Sequence, residues 1–141
     1  MGSRRKLGRK KMTASPRTSY GVQNGSKILI TDNSGAKIAK IINVDGYNTR
    51  LRRLPQASVG MICSVSIKKG RPDLRGNIMK AVIVRQKRIF RRIDGTRLCF
   101  EDNAGILLKG DEPVASEVRG PIAREAAEAF PRLASISSLI I

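Results

Sequence analysis

The chain has 141 residues, enough for one hydrophobic core and too few for two of ordinary size. Its 28 Lys and Arg against 11 Asp and Glu leave a formal net charge of +17, which a compact domain tolerates best beside a polyanion that neutralises it. Histidine is absent, which excludes Ser-His-Asp and Cys-His catalysis, and no segment approaches the roughly 20 consecutive apolar residues of a membrane span.

The N-terminal stretch carries Arg4, Arg5, Lys6, Arg9, Lys10, Lys11 and Arg17 without one acid. It lacks the apolar centre of a secretory signal, and only Leu7 and Met12 could supply the apolar face of an organelle presequence. Residues 1–21 therefore read as a flexible basic arm that orders on RNA, and 22–141 as a single domain.

The first apolar run is Lys27-Ile28-Leu29-Ile30-Thr31, followed by the turn sequence Asp32-Asn33-Ser34-Gly35. The strand pattern resumes over Lys37 to Val44, making a hairpin that Asp45-Gly46 closes. Tyr47 to Leu54 is a basic stretch ended by Pro55. Met61 to Lys68 has mixed period-two character and suits a strand with at least one buried face. Lys69 to Gly76 is a loop by composition, and Ile78 to Val84 a buried strand.

Strand character continues as the chain turns basic over Arg85 to Ile93, and Asp94-Gly95 predicts a hairpin turn returning through Thr96 to Phe100. Asn103-Ala104-Gly105 breaks the pattern before a last strand at Ile106 to Leu108. Gly110 to Gly120 reads as a loop. Pro121 suits the first turn of a helix, with Ile122, Ala126 and Phe130 on one stripe, Arg124 and Glu128 on another face, and Pro131 as its end. Leu133 to Ile141 is apolar enough to dock as a short second helix. About six short strands followed by a helical tail define a mainly β chain, a small closed barrel or sandwich.

Little here can carry reaction chemistry. There is no Walker sequence or Gly-rich strand-to-helix phosphate loop. Asp32, Asp45 and Asp94 belong to turns, and Glu101 and Asp102, adjacent in a strand, would face opposite ways. Cys63 and Cys99 sit in apolar surroundings and read as buried free thiols, although sequence leaves a disulfide open; without histidine they make a poor zinc site. No metal, cofactor or catalytic residue is expected.

Binding is the better reading. Arg85, Lys87, Arg88, Arg91, Arg92 and Arg97 place charge on both faces of a hairpin, so that ribbon should leave the barrel and stand among phosphates. Arg50, Arg52 and Arg53 form a second cluster; Lys68, Lys69, Arg71 and Arg75 form a third around a Gly-Pro loop. Only five aromatics are available for stacking, so recognition of folded RNA through phosphates and 2′-hydroxyls is favoured over single-strand binding. Arg124, Glu128, Phe130 and Leu133 are the candidate contacts to other proteins. Two other classes compete: a small-barrel RNA-chaperone factor that binds its RNA only transiently, which a salt wash would remove, and a nuclease, which would depend on Glu101 or Asp102.

Several spaced motifs carry a resemblance. Asp32-Asn33-Ser34-Gly35-Ala36-Lys37, Val82-Ile83-Val84-Arg85-Gln86, Arg91-Arg92-Ile93-Asp94-Gly95, Phe100-Glu101-Asp102-Asn103-Ala104 and Gly120-Pro121-Ile122-Ala123-Arg124-Glu125 occur in this order. Together they resemble the family of universal large-subunit ribosomal protein number fourteen, number twenty-three in older eukaryotic naming. Arg53-Leu54-Pro55 and Lys68-Lys69-Gly70 are similar to its archaeal and eukaryotic branch. Two segments depart from the family pattern: Ala115 to Arg119, where a Gly-Ser or Gly-Thr pair is usual, and the short stretch Leu107 to Gly110.

The resemblance implies a five-stranded closed barrel with a projecting β-ribbon and short C-terminal helices. It implies a structural part of the large ribosomal subunit that binds large-subunit rRNA and meets small-subunit rRNA at the intersubunit interface. It implies, as neighbours, large-subunit proteins number three and, in eukaryotes, number twenty-four, with an anti-association factor docking over Arg124 to Leu133. The location implied is the cytosolic ribosome, with a nucleolar assembly stage in a eukaryote.

Overall fold

The computed structural model describes residues 18–47 and 49–141, so the expectations for the basic arm (Arg4, Arg5, Lys6, Arg9, Lys10, Lys11) lie outside the described residues. In chain order the elements are β1 (Val22–Gln23), β2 (Lys27–Ile30), β3 (Ala36–Val44), β4 (Gln56–Ala57), β5 (Ile62–Gly70), β6 (Ile78–Arg85), β7 (Phe90–Arg91) and β8 (Arg97–Leu98). Then come β9 (Ala104–Lys109), β10 (Glu112–Pro113), β11 (Val118–Ile122), α1 (Arg124–Ala129), α2 (Pro131–Ile136) and β12 (Ser137–Ile140).

Five strands close a barrel in the order β9-β2-β3-β5-β6, with β6 returning to pair with β9. Closure removes the open edges that would otherwise invite association. Only the β2–β9 pair of this ring is parallel. Alternation places Ile28, Ile30, Ala39, Ile41, Val65 and Ile67 inside, with Lys27 and Lys40 outside.

β6 and β9 are buried on both faces, which explains their near-continuous apolar sequence. Ala81, Ile83 and Leu107 join the barrel core; Val82, Val84, Ile106 and Leu108 join a second core capped by Ile122, Ala126 and Leu133. Gly105 sits where the layers are tightest. A Cβ there would lie 3.0 Å from Ile28 Cδ1 and 3.1 Å from the Val82 carbonyl oxygen.

The Asp32–Gly35 turn does more than reverse the chain. One Asp32 oxygen accepts from the Ser34 amide at 3.1 Å and from the Ser34 hydroxyl; the other accepts from the Leu107 amide at 3.0 Å, tying the turn to β9. Asn33 clasps Ser116 through both its amide groups, at 3.0 and 3.2 Å, so the unusual Ala115–Arg119 segment is pinned to this turn. The short Leu107–Gly110 stretch is accommodated by a tight reversal, Lys109 pairing with Glu112.

Three expectations are corrected. The strand read as continuous from Ile78 to Ile93 stops at Arg85, and a short ribbon, β7–β8, restarts at Phe90. Gln86 causes the break: fully buried, it donates through Nε2 to the Ser19 and Arg88 carbonyls at 2.9 and 3.0 Å, and accepts from the Val59 amide at 3.2 Å. Pro121 does not open a helix but lies in β11, parallel to β12, opposite Leu139. Proline needs no ladder donor there, and Gly120, at φ +77°, turns the chain too sharply for a helix start. The helix begins at Arg124, and the tail expected to be helical from Leu133 becomes strand at Ser137.

Cys99 is exposed rather than buried, while Cys63 is buried with its thiol 3.5 Å from the Ala81 carbonyl oxygen. Loss of hydration, reinforced by the nearby Asp45 charge, pushes the Cys63 pKa up to about 12. Since only the thiolate reacts, iodoacetamide at pH 8 labels Cys99 in the native protein and spares Cys63 until the chain is denatured. Peptide mass mapping checks this; equal native labelling of both would contradict it.

Candidate nucleic-acid interface

Of the thirteen Arg and Lys expected on the RNA face of the domain, eleven are exposed or at the surface of loops and two are committed internally. Arg85 is buried: Nε and Nη2 both donate to the Asp102 carboxylate at 2.9 Å, and Nη1 donates to the Pro121 carbonyl at 3.0 Å. Gly120 makes this possible, since a Cβ there would lie 2.8 Å from Arg85 Nη1. Arg92 donates to the Glu125 carboxylate at 2.9 and 3.3 Å and to Ile141 O at 2.5 Å, so it staples the ribbon to α1 and to the residue that follows β12. Neither guanidinium is presented to a partner; both hold the ribbon base in place.

What the ribbon does present is Arg91 opposite Arg97, both exposed, with Lys87 and Arg88 at its root. Like charges directly opposite one another are destabilising in isolation. The same pattern recurs on the barrel wall, where Lys27 of β2 faces Lys40 of β3, both pointing outward. At the ribbon tip, Asp94 is occupied by Thr96, whose hydroxyl and amide donate at 2.6 and 2.9 Å; these bonds hold its carboxyl below the usual carboxylate range.

Arg50, Arg52 and Arg53 are exposed on the loop between β3 and β4, and Arg52 adopts φ +65°. Its left-handed backbone is what lets Arg53 N donate back to the Arg50 carbonyl at 2.9 Å. In the third cluster Lys68, Lys69 and Arg75 line a shallow cleft of about 400 Å³ with Gly70 and Lys37. Arg71 stands apart, paired with Asp73 at 3.1 Å.

Sequence reasoning missed Lys27, Lys37 and Lys40. The outward parity of β2 and β3 carried the signal for Lys27 and Lys40, whereas Lys37 has the inward parity of Ala39 and Ile41 and is turned outward only by the irregularity between Ala36 and Ile38, which brings it to the Lys68–Lys69 pair. Among the protein-contact candidates, Arg124 and Glu128 are exposed, Phe130 is half-buried against the second core, and Leu133 is fully buried within it. Leu133 is therefore a core residue and not a contact surface. Glu101 and Asp102 lie in a bend, with Asp102 taken by Arg85, so they form no paired acid–base site.

Fold and surface define a class: a small closed β-barrel with two internally paired arginines, a cationic exterior and, among the described residues, no catalytic constellation. Within that class the chain belongs to the ribosomal protein L14p/L23e family, whose profile matches residues 21–141. It is thus a ribosomal protein and not an enzyme. It is 50% identical over 121 residues to large ribosomal subunit protein uL14 of Metallosphaera sedula, covering 85% of this chain and 88% of that one. Identity is 48% over 118 residues with the protein of that name from Nitrosopumilus maritimus, covering 83% and 84%. With that of Picrophilus torridus it is 47% over 128 residues, covering 90% and 97%.

Proposed function

We propose that this chain is a structural constituent of the large ribosomal subunit, that it binds large-subunit rRNA through its exposed basic clusters, and that it contributes to the intersubunit interface. Family membership supports the first part. The observation that carries the RNA reading is the outward, acid-poor placement of Arg50, Arg52, Arg53, Lys68, Lys69, Arg71, Arg75, Lys87, Arg88, Arg91 and Arg97 around the barrel of a chain whose net charge is +17. Such a surface neutralises phosphates and releases their counterions; it reads shape rather than base sequence.

We assign Arg4, Arg5, Lys6, Arg9, Lys10 and Lys11 of the basic arm to the same RNA partner on their charge alone. Small-subunit rRNA is the partner across the interface. Arg124, Glu128 and the accessible part of Phe130 form the side we assign to neighbouring proteins: number three, number twenty-four in a eukaryotic setting, and an anti-association factor. The site of action is the cytosolic ribosome.

The RNA reading makes a quantitative expectation. Affinity of the full chain for a folded rRNA fragment falls about a thousandfold as salt rises from roughly 50 to 200 mM, because several phosphate contacts are lost together. Filter binding across that range measures the slope, and a nearly flat dependence would contradict the proposal. Combined Arg91→Gln and Arg97→Gln substitution reduces the slope by about two.

A further inference from the structure

The cleft between β3 and β5 is built by two opposed irregularities. The strands pair Ala36 with Gly70, Ile38 with Lys69 and Ala39 with Ile67. The first interval leaves Lys37 as an extra residue on β3; the second leaves Lys68 as an extra residue on β5. The two slips cancel, so the ladder runs in register from Ala39 to Ile41, and a separate irregularity further along leaves Ile42 as an extra residue. Bulges of this kind re-aim side chains. In a regular strand Lys68 and Lys69 would point to opposite faces; here both are exposed and both line one cleft, with Lys37, Gly70 and Arg75.

No acid lines this cleft. The adjacent acid on the loop, Asp73, is paired with Arg71, and the Arg71 side chain is drawn over Gly35, where any Cβ would clash with it. Gly70 has backbone atoms so close that a Cβ would lie 2.8 Å from both Ala36 Cα and the Gly35 carbonyl oxygen. Four cations therefore meet around a small concavity of about 400 Å³ with their mutual repulsion uncompensated. The cleft is shallow and open, so a phosphate standing out from a helix can settle among all four cations, whereas the evenly spaced phosphates of a regular duplex meet them only from outside.

We propose that the cleft is a seat for a phosphate group standing out of a regular RNA backbone, at a bulge or sharp kink, held by Lys37, Lys68, Lys69 and Arg75. This rests on the RNA-binding reading and adds to it a preference for distorted over continuous helix, with the cleft as its source.

The test uses the full chain and two RNA probes of equal length, a continuous duplex and the same duplex with a short unpaired bulge. The bulged probe binds about tenfold more tightly, the worth of one charge-assisted contact. K37Q/K69Q abolishes that preference, whereas K27Q/K40Q, on the open barrel wall, weakens both probes alike. Equal thermal melting of the variants shows that folding is intact. Equal affinity of the parent chain for both probes, or a K37Q/K69Q loss shared equally between them, overturns the seat and leaves the RNA reading standing. Failure of both probes to bind removes the two together.

Discussion

Replacing Arg85 with methionine lowers the unfolding free energy by about 3 kcal/mol, because it strands a carboxylate and a backbone carbonyl that only a planar, five-donor group can serve. The Arg85 side chain is 10% exposed and Asp102 30%, so the loss falls at the lower end expected for a broken buried pair. The damage spreads because Arg85 joins three segments: the end of β6, the Asp102 bend and the Gly120-Pro121 turn of β11. Lysine does not rescue the variant, since one ammonium cannot span both Asp102 oxygens and the Pro121 carbonyl. Guanidinium chloride melts measure the effect. A shift under about 1 kcal/mol would show that Arg85 is free enough to act as the RNA contact first expected of it.

Gly70→Ala has a comparable effect, also about 3 kcal/mol, from the sum of an unfavourable backbone conformation and an overpacked contact. Gly70 has φ +151°, and its added Cβ would meet backbone on both sides, Ala36 Cα and Gly35 O, neither of which can rotate away. The variant can fold only by opening the β3–β5 ladder at its end, where the cationic cleft lies. Its melting temperature therefore falls and its preference for a bulged RNA disappears together. Gly46, open on all sides within 4 Å but with φ +75°, is the milder control: alanine there suffers only from its backbone angle. Equal stability of the two variants would contradict the contact argument.

The barrel was legible because its strands obey simple periods. Lys27-Ile28-Leu29-Ile30 alternates and is buried on one face; Ala81 to Val84 is uniformly apolar and is buried on both. The ribbon was only half legible. A run of basic residues announces charge, but the partner that internalises Arg85 lies 17 residues away and that of Arg92 lies 33 away, separations no local pattern reports. Gln86 reads as one more polar residue in a polar run, yet its amide organises three segments. The helix expected at Pro121 followed a sound local rule, overridden by pairing with a strand that starts only at Ser137. For the candidate site, the Lys68-Lys69 cluster was visible, whereas the inclusion of Lys37 depends on two cancelling bulges and becomes visible only in the register. Leu133 was misassigned because apolarity alone does not distinguish a docking residue from a core residue.

The most direct measurement of the central claim is sucrose-gradient sedimentation of the tagged full chain, before and after a high-salt wash of the subunits. Salt weakens each phosphate contact, but a structural component held by many contacts leaves slowly. The account predicts that the protein sediments with the large subunit and remains there through the wash. Loss from washed subunits, or a peak with free RNA alone, would contradict it and mark the chain as a transient visitor.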